Sequence, residues 1–183
     1  MDRGFDVAGR ETRGDFRLLP FDEQIQTVML DLQDHFWNPK AQVVCNSFAA
    51  YLFLHTQTQM ASFPGRVLLL SPIVGEFANE QSRTAFSPPR PAKLKELSEA
   101  AKFNAPSPCE IHVGQEDWQS SPAKVQSFGR LSGNPVNVVP GDGHDLGKDY
   151  GSPLLDKWLC VKPSRFRTCA ALTAIEGSNS TNY

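Results

Sequence analysis

The sequence predicts a three-layer α/β/α sandwich with a mostly parallel β-sheet. Short apolar segments alternate with segments of helical periodicity along most of the chain, which is the order that right-handed crossovers between parallel strands produce. Arg66 to Ser71 contains a continuous Val-Leu-Leu-Leu run, typical of a strand that helices cover on both faces. With 183 residues, 40% of them hydrophobic, the chain can bury one core of this kind.

The first elements follow a polar segment, residues 1 to 14. Phe16 to Leu19 form a short apolar run that stops at Pro20, and this pattern predicts a strand. Apolar residues then recur at helical spacing after Asp22, a candidate N-cap. They predict an amphipathic helix that stops at Asn38-Pro39.

The later elements alternate regularly up to Cys160. Residues 72 to 90, which contain several prolines, predict a loop long enough to shape a pocket. Because the pattern fades after Cys160, we predict one domain over residues 1–161 and a C-terminal tail over residues 162–183. The predicted strands are Gln42 to Cys45, Arg66 to Ser71, Cys109 to Val113 and Val136 to Val139, and the predicted helices are Phe48 to Gln59, Pro91 to Ala101, Pro122 to Leu131 and Ser152 to Leu159.

Charge and hydropathy argue against two classes of partner. The formal net charge of −2 leaves no basic field that would attract nucleic acid or an anionic membrane surface. The longest apolar runs are far shorter than the roughly 20 residues that a membrane helix needs. Charged residues at Asp2, Arg3 and Asp6 stand where a signal peptide would be apolar. We therefore expect a soluble, cytoplasmic protein without a nucleic-acid or membrane partner.

The cysteines show no metal-binding or disulfide pattern. They are widely scattered and include no CxxC pair, so the sequence predicts neither a zinc site nor a disulfide framework. We expect all of them to be free thiols. They are Cys45, Cys109, Cys160 and Cys169.

Ser47 stands between a predicted strand and a predicted helix, with the small residues Cys45 and Ala49 two positions before and after it. The segment resembles the nucleophile elbow of the α/β-hydrolases. In that elbow a strained turn exposes the serine hydroxyl at the end of a strand, and small flanking residues, usually glycines, let strand and helix approach. The resemblance implies that Ser47 is a nucleophile. The alternative is that Ser47 only caps the following helix.

Asp117 follows the predicted strand Cys109 to Val113 after a short segment that contains Gly114. The α/β-hydrolases place their catalytic acid at the corresponding point, so the resemblance implies this role for Asp117. Two alternatives stay open. Asp117 could be a loop residue that forms an Asx-turn, and the neighbouring Glu116 could be the acid.

His144 lies in a glycine-rich loop directly after the predicted strand Val136 to Val139. A histidine at this point is similar to the base of the α/β-hydrolase triad. Imidazole titrates near neutral pH, and a carboxylate on its far nitrogen fixes the tautomer that can accept a proton. His35 and His55 fall on predicted helices and His112 within a strand, where packing or solvent-facing roles are expected.

The order Ser47, Asp117, His144 is the order found in the α/β-hydrolases, and each residue follows a strand end. The resemblance covers residues 15 to 160. It implies a serine hydrolase that cleaves a small carboxylic ester or related acyl substrate through an acyl-enzyme, without a metal or organic cofactor. Phe48, Phe77, Phe86 and Trp118 lie near these residues in sequence and are candidates for an apolar acyl pocket, or for ordinary core.

The resemblance fails at the N-terminus. The family normally has earlier strands and a His-Gly type loop that donates one of the two oxyanion-hole N–H groups, and this sequence shows no such loop. The backbone N–H of Phe48 supplies one donor, and the second is unassigned. Missing strands would also leave a sheet edge open to pairing, so a homo-oligomer is one expectation. The alternative function is a catalytically impaired binding module, or a fragment, with the same scaffold.

Overall fold

A six-stranded sheet forms the centre of the computed structural model, which describes residues 6–79, 83–159 and 168–173. All pairings within this sheet are parallel, and the strand order is β1-β8-β2-β3-β6-β7. A separate antiparallel pair, β4 and β5, lies outside it. The strands are β1 (Asp6–Glu11), β2 (Gln42–Asn46), β3 (Arg66–Leu70), β4 (Phe77–Asn79), β5 (Thr84–Phe86), β6 (Cys109–Gly114), β7 (Val136–Val139) and β8 (Thr168–Thr173).

Helices cover both faces of the sheet. In β6, the alternate residues Ile111 and Val113 belong to the apolar core together with Phe128 of α5. His112 points to the opposite face, where its ring contacts Tyr150 of α6. The predicted three-layer architecture is therefore confirmed. The helices are α1 (Asp15–Leu18), α2 (Phe21–Asp31) with a π-helical extension (Leu32–Phe36), α3 (Ser47–Gln57), α4 (Lys93–Glu99), α5 (Pro122–Ser132) and α6 (Lys148–Leu159).

The core lies between the sheet and the α2, α3 and α5 layer. The register places Cys45 of β2 opposite Leu69 of β3, and Leu69 opposite Ile111 of β6. All three side chains are fully buried. Because α3 is apolar all round, nearly all of its residues are buried between the sheet and α2. This packing fixes the start of α3 against the end of β2.

The prediction of a strand at Phe16 to Leu19 is wrong. The structure has the short helix α1 there, with Phe16 buried and Leu18 exposed. A four-residue apolar run has too little periodicity to distinguish a strand from a helix. The strand in this part of the chain is β1, whose sequence contains Gly9 and charged residues and gives no β-pattern.

A strand also occurs in the segment that the sequence assigned to a C-terminal tail. β8 lies between β1 and β2 and is parallel to both. The sheet therefore continues past β2 by two strands, instead of leaving β2 at the edge. The segment between α6 and β8, residues 160–167, lies outside the described residues.

The other elements match their predictions closely, with three differences. Asp22, the predicted N-cap, lies in the first turn of α2, and Pro20 occupies the N-cap position. The predicted loop of residues 72 to 90 contains the β4–β5 pair. α6 begins at Lys148, four positions before the predicted start, and so includes Tyr150. Among the described residues, none of the helices has the length and apolar character needed to cross a bilayer.

Two cysteines are free thiols, as predicted. Cys45 and Cys109 are both buried, and burial raises the pKa of Cys45 well above its usual value and that of Cys109 to about 12. Both thiols are therefore uncharged at neutral pH. Cys160 and the side chain of Cys169 lie outside the described residues.

Candidate active site

Ser47 connects β2 directly to α3 through a strained turn. Its φ of 52° is in the left-handed region, which residues other than glycine rarely adopt. Cys45 and Ala49, the two small flanking residues, are both fully buried where strand and helix meet. The local geometry is therefore the sharp strand-to-helix turn that the sequence predicted.

The Ser47 hydroxyl is hydrogen-bonded to a histidine instead of to the helix terminus. The distance between Ser47 Oγ and His144 Nε2 is 2.7 Å. Asn46 occupies the N-cap position and Ser47 is the first residue of α3. Ser47 is therefore not the N-cap of this helix, which was the alternative interpretation. Phe48 is the second residue of α3. The Phe48 N–H is one of the first four N–H groups of the helix, which have no partner within it and lie at the positive end of the helix dipole.

His144 lies in the loop between β7 and α6 and contacts Ser47 and Asp117 with its two ring nitrogens. Its Nδ1 is 3.0 Å from each carboxylate oxygen of Asp117. The Asp117 side chain is fully buried, and the His144 side chain is 10% exposed. A buried carboxylate on Nδ1 favours the tautomer with the proton on Nδ1, which leaves the Nε2 lone pair directed at Ser47.

Asp117 also organises its own loop. Its Oδ1 accepts hydrogen bonds from the backbone N–H groups of Gln119 (2.9 Å) and Ser120 (2.8 Å). The turn-forming role and the contact with His144, which the sequence left as alternatives, therefore occur together. Glu116 is exposed, so the carboxylate beside His144 is that of Asp117.

Ser120 is a buried member of the site that the sequence analysis missed. Its hydroxyl donates a hydrogen bond to the carbonyl oxygen of Ser71 (2.6 Å) and lies 3.5 Å from His144 Nδ1. Ser71 follows β3, is fully buried and has a φ of 43°. The hydroxyl thus joins the loop that carries Asp117 to the end of the neighbouring strand. No spacing or motif in the sequence distinguishes Ser120 from other loop serines.

Gly114 at the end of β6 permits the close approach of the His144 loop. A Cβ at this position would overlap the carbonyl oxygens of Asp142 and Gly143. The Glu116 N–H donates to the Asp142 carbonyl (2.9 Å), which fixes the two loops together. Gly114 is therefore needed for packing between the two loops.

The other three histidines lie away from Ser47. His35 is on the π-helical extension of α2, and His55 is buried in α3, where burial is the main cause that lowers its pKa to about 4. His112 is buried in β6 with its Nδ1 2.7 Å from the Tyr150 hydroxyl, and burial lowers its pKa. Each sits on the element that the sequence predicted for it.

No family model and no curated protein matches this sequence at a significant level. Solved structures do match. A monoacylglycerol lipase from Paleococcus ferrophilus aligns with 77% of this chain and 75% of its own at 9% identity and a TM-score of 0.58. Esterase PE8 aligns with 87% of this chain and 66% of its own at 16% identity and a TM-score of 0.52. An esterase from Exiguobacterium antarcticum aligns with 76% of this chain and 72% of its own at 10% identity and a TM-score of 0.52.

These similarities concern the arrangement of the backbone, since at such low identity the sequences share few residues. The matched proteins are lipases, esterases and other hydrolases of one architecture. The shared backbone arrangement supports the fold that the resemblance implied. The chain therefore has the α/β-hydrolase fold.

Proposed function

We propose that this protein is a serine hydrolase that cleaves small carboxylic esters through an acyl-enzyme. The observation that carries the proposal is a continuous hydrogen-bonded series, with 2.7 Å from Ser47 Oγ to His144 Nε2 and 3.0 Å from His144 Nδ1 to Asp117. A nucleophile, a base and a residue that orients the base are all within hydrogen-bond reach. The structural neighbours that are esterases and a lipase support the same class of reaction.

In the first half of the reaction, Ser47 Oγ attacks the ester carbonyl carbon while His144 Nε2 takes the hydroxyl proton. The carbonyl oxygen becomes an oxyanion and accepts a hydrogen bond from the Phe48 N–H. The intermediate then collapses, the bond between carbon and the alcohol oxygen breaks, and His144 returns the proton to the departing alcohol. The acyl group remains on Ser47 as an ester.

In the second half, water replaces the alcohol and the steps run in reverse. His144 takes a proton from the water as its oxygen attacks the acyl carbon, and it then returns the proton to Ser47 Oγ as the carboxylic acid leaves. Asp117 stays ionised throughout. Two backbone N–H groups and His144 are donors to its carboxylate, which therefore stabilises the imidazolium that forms in each half.

The oxyanion hole limits the expected rate. Phe48 supplies one N–H donor, and we assign no second donor among residues 6–79, 83–159 and 168–173. Loss of one donor typically reduces the rate by about 100-fold to 1000-fold. This observation also motivates the alternative function, an α/β-hydrolase-like module that binds an ester or acyl ligand without turning it over.

A fluorophosphonate probe tests the proposal, because it reacts only with an activated serine. Ser47 is only 1% exposed, so labelling also tests whether the probe can reach the hydroxyl. We expect the wild-type protein to be labelled and Ser47→Ala to stay unlabelled. Ser62→Ala is the matched control. Ser62 precedes β3, so it lies near the amino ends of the parallel strands, whereas Ser47 lies at their carboxyl ends. Unlabelled folded wild-type protein, or equal labelling of Ser47→Ala, would exclude a nucleophilic Ser47.

A further inference from the structure

Four aromatic side chains form a continuous surface beside the site. The ring centroids of Phe48 and Phe86 are 6.4 Å apart, those of Phe86 and Phe77 are 5.2 Å apart, and those of Phe77 and Trp118 are 5.5 Å apart. These distances are typical of direct ring contacts. We call the set Phe48, Phe77, Phe86 and Trp118 the aromatic surface.

The two ends of the aromatic surface belong to residues that are adjacent in sequence to Ser47 and Asp117. Phe48 directly follows Ser47, and Trp118 directly follows Asp117. The middle is the β4–β5 pair, in which Phe77 and Phe86 stand directly opposite each other. The surface therefore extends from the nucleophile side of the site to the acid side, across an element that belongs to neither.

The exposure of two of these rings argues against a purely structural role for the set, whereas Phe48 and Phe77 are half-buried and pack against the core. Phe86 is 39% exposed and Trp118 is 38% exposed, so neither ring is part of the core. Within the described part of the chain, β4 and β5 pair only with each other, and such a two-stranded sheet has little stability of its own. Phe86 on this pair and Trp118 in the loop after β6 are exposed on either side of Phe77, and exposed aromatic rings grouped in this way are typical of a ligand-binding surface.

The reaction chemistry indicates which part of a substrate meets this surface. The acyl carbon bonds to Ser47 Oγ and its oxygen faces the Phe48 N–H, whereas the departing alcohol must reach His144 to be protonated. The acyl chain is therefore directed away from His144, and we assign it to the aromatic surface, whose first ring belongs to the residue after Ser47.

A separate cavity of about 600 Å³ between α4, α5 and residues 74–76 is less suited to this role. Ser47, Asp117 and His144 are all absent from its lining. Its rim includes Lys95 and Lys124, and the Lys124 ammonium donates to the carbonyl oxygen of Glu76. Nothing in its lining places a bound group next to the Ser47 hydroxyl.

We propose that the aromatic surface binds the acyl group and gives the enzyme a preference for aromatic acyl groups, or aliphatic ones of four or more carbons, over acetyl. This inference rests on the proposed hydrolase function. Each methylene that is fully buried against the rings raises kcat/KM by about fourfold. An aromatic acyl group also gains ring contacts that acetate cannot make.

The test is a series of 4-nitrophenyl esters with one leaving group and varied acyl groups: acetate, butyrate, hexanoate and benzoate. We expect the hexanoate-to-acetate and benzoate-to-acetate ratios of kcat/KM to be at least about tenfold in the wild-type protein. Both ratios should fall at least about fivefold in Phe86→Ala and in Trp118→Ala, which change separate segments. Phe103→Ala is the matched control, because Phe103 contacts Phe128 away from the site and should keep both ratios.

Binding to Ser47→Ala separates this inference from the proposed function. Calorimetric titration with 4-nitrophenyl hexanoate should show binding to Ser47→Ala and weaker binding to the Ser47→Ala, Phe86→Ala double variant. If the wild-type protein is labelled by fluorophosphonate but both variants keep the wild-type ratios, the aromatic surface does not select the acyl group, although the hydrolase stands. If labelling fails but hexanoate binding depends on Phe86, the surface binds acyl groups and the hydrolase proposal is wrong. Thermal melts of each variant establish that it is folded.

Discussion

The Asp117 carboxylate makes polar contacts both with its own loop and with His144. It accepts two backbone N–H groups from its own loop and faces His144 with both oxygens. The backbone of its own loop therefore fixes the position of the carboxylate independently of the contact with His144. This arrangement holds a charged acceptor in a buried place and leaves the His144 ring little freedom to rotate.

Asp117→Asn tests whether the charge of this side chain matters for the reaction. The amide keeps the shape of the carboxylate but can donate to Nδ1, which favours the wrong tautomer of His144 and removes the countercharge of the imidazolium. We expect kcat for 4-nitrophenyl acetate to fall by about 10⁴-fold, as such a change does in serine proteases. Glu116→Gln, at the exposed neighbouring carboxylate, should keep wild-type activity. The opposite pattern would make Glu116 the acid.

We expect Ser120 to act as a positioning residue. Ser120→Ala leaves the buried Ser71 carbonyl without its donor and frees the loop that carries Asp117. We expect a loss of about 1–3 kcal/mol in the free energy of unfolding. We also expect kcat to fall by about tenfold with little change in KM, since sub-ångström displacement of a catalytic group affects the chemical step. Ser120→Thr keeps the hydroxyl and should have a kcat close to that of wild type. If Ser120→Ala has the same kcat as wild type, Ser120 does not position Asp117.

At the scale of the elements, the loop between β7 and α6 packs closely against the end of β6. It reaches the site only because the end of β6 has no side chain at Gly114. The two hydrogen bonds from Gln115 and Glu116 to Val139 and Asp142 then hold the loop on β6 (2.8 and 2.9 Å). His144 is thus placed by backbone contacts between two loops, and not by the sheet itself.

Gly114→Ala should displace this loop. The added methyl group overlaps two backbone carbonyls, which cannot move away as a flexible side chain can. We expect activity to fall by at least about 100-fold, because His144 would shift relative to Ser47. Gly143→Ala is the matched control in the same loop, since a Cβ there meets no atom within 4 Å. The explanation fails if the two variants lose activity equally.

The elements also show which features a sequence pattern can predict. Ser47, Asp117 and His144 each follow the end of a parallel strand, and the carboxyl ends of parallel strands lie at one edge of the sheet, so their proximity was predictable. The place of Ser120 in the site could not be predicted, because it depends on a hydrogen bond to a carbonyl 49 positions earlier in the chain. β8 was missed because its place in the sheet depends on pairing with β1 and β2, far away in sequence.

For the whole molecule, one buried group links folding to pH. His55 is 1% exposed and packs between Phe21 and Tyr51, with ring centroids 5.2 and 4.3 Å away. Its Nε2 is buried and has no hydrogen-bond partner among the described residues. Burial, with smaller contributions from the nearby charges of Arg90 and Lys93, lowers the pKa of His55 to about 4. The native state thus holds this imidazole neutral.

We expect this histidine to reduce stability in mild acid. The pKa of His55 is about 6.5 in the unfolded chain. Above that pH neither the native nor the unfolded state binds the proton, so His55 does not reduce the free energy of unfolding. As the pH falls from about 6.5 to about 4, the unfolded state binds the proton first, and the free energy of unfolding decreases by an amount on the order of 3 kcal/mol.

Urea titrations at pH 7 and 4.5 measure this loss. His55→Phe should lose about 2 kcal/mol less than wild type between these pH values, whereas His35→Phe, at an exposed histidine, should lose as much as wild type. An unchanged loss in His55→Phe would mean that other groups cause the acid sensitivity.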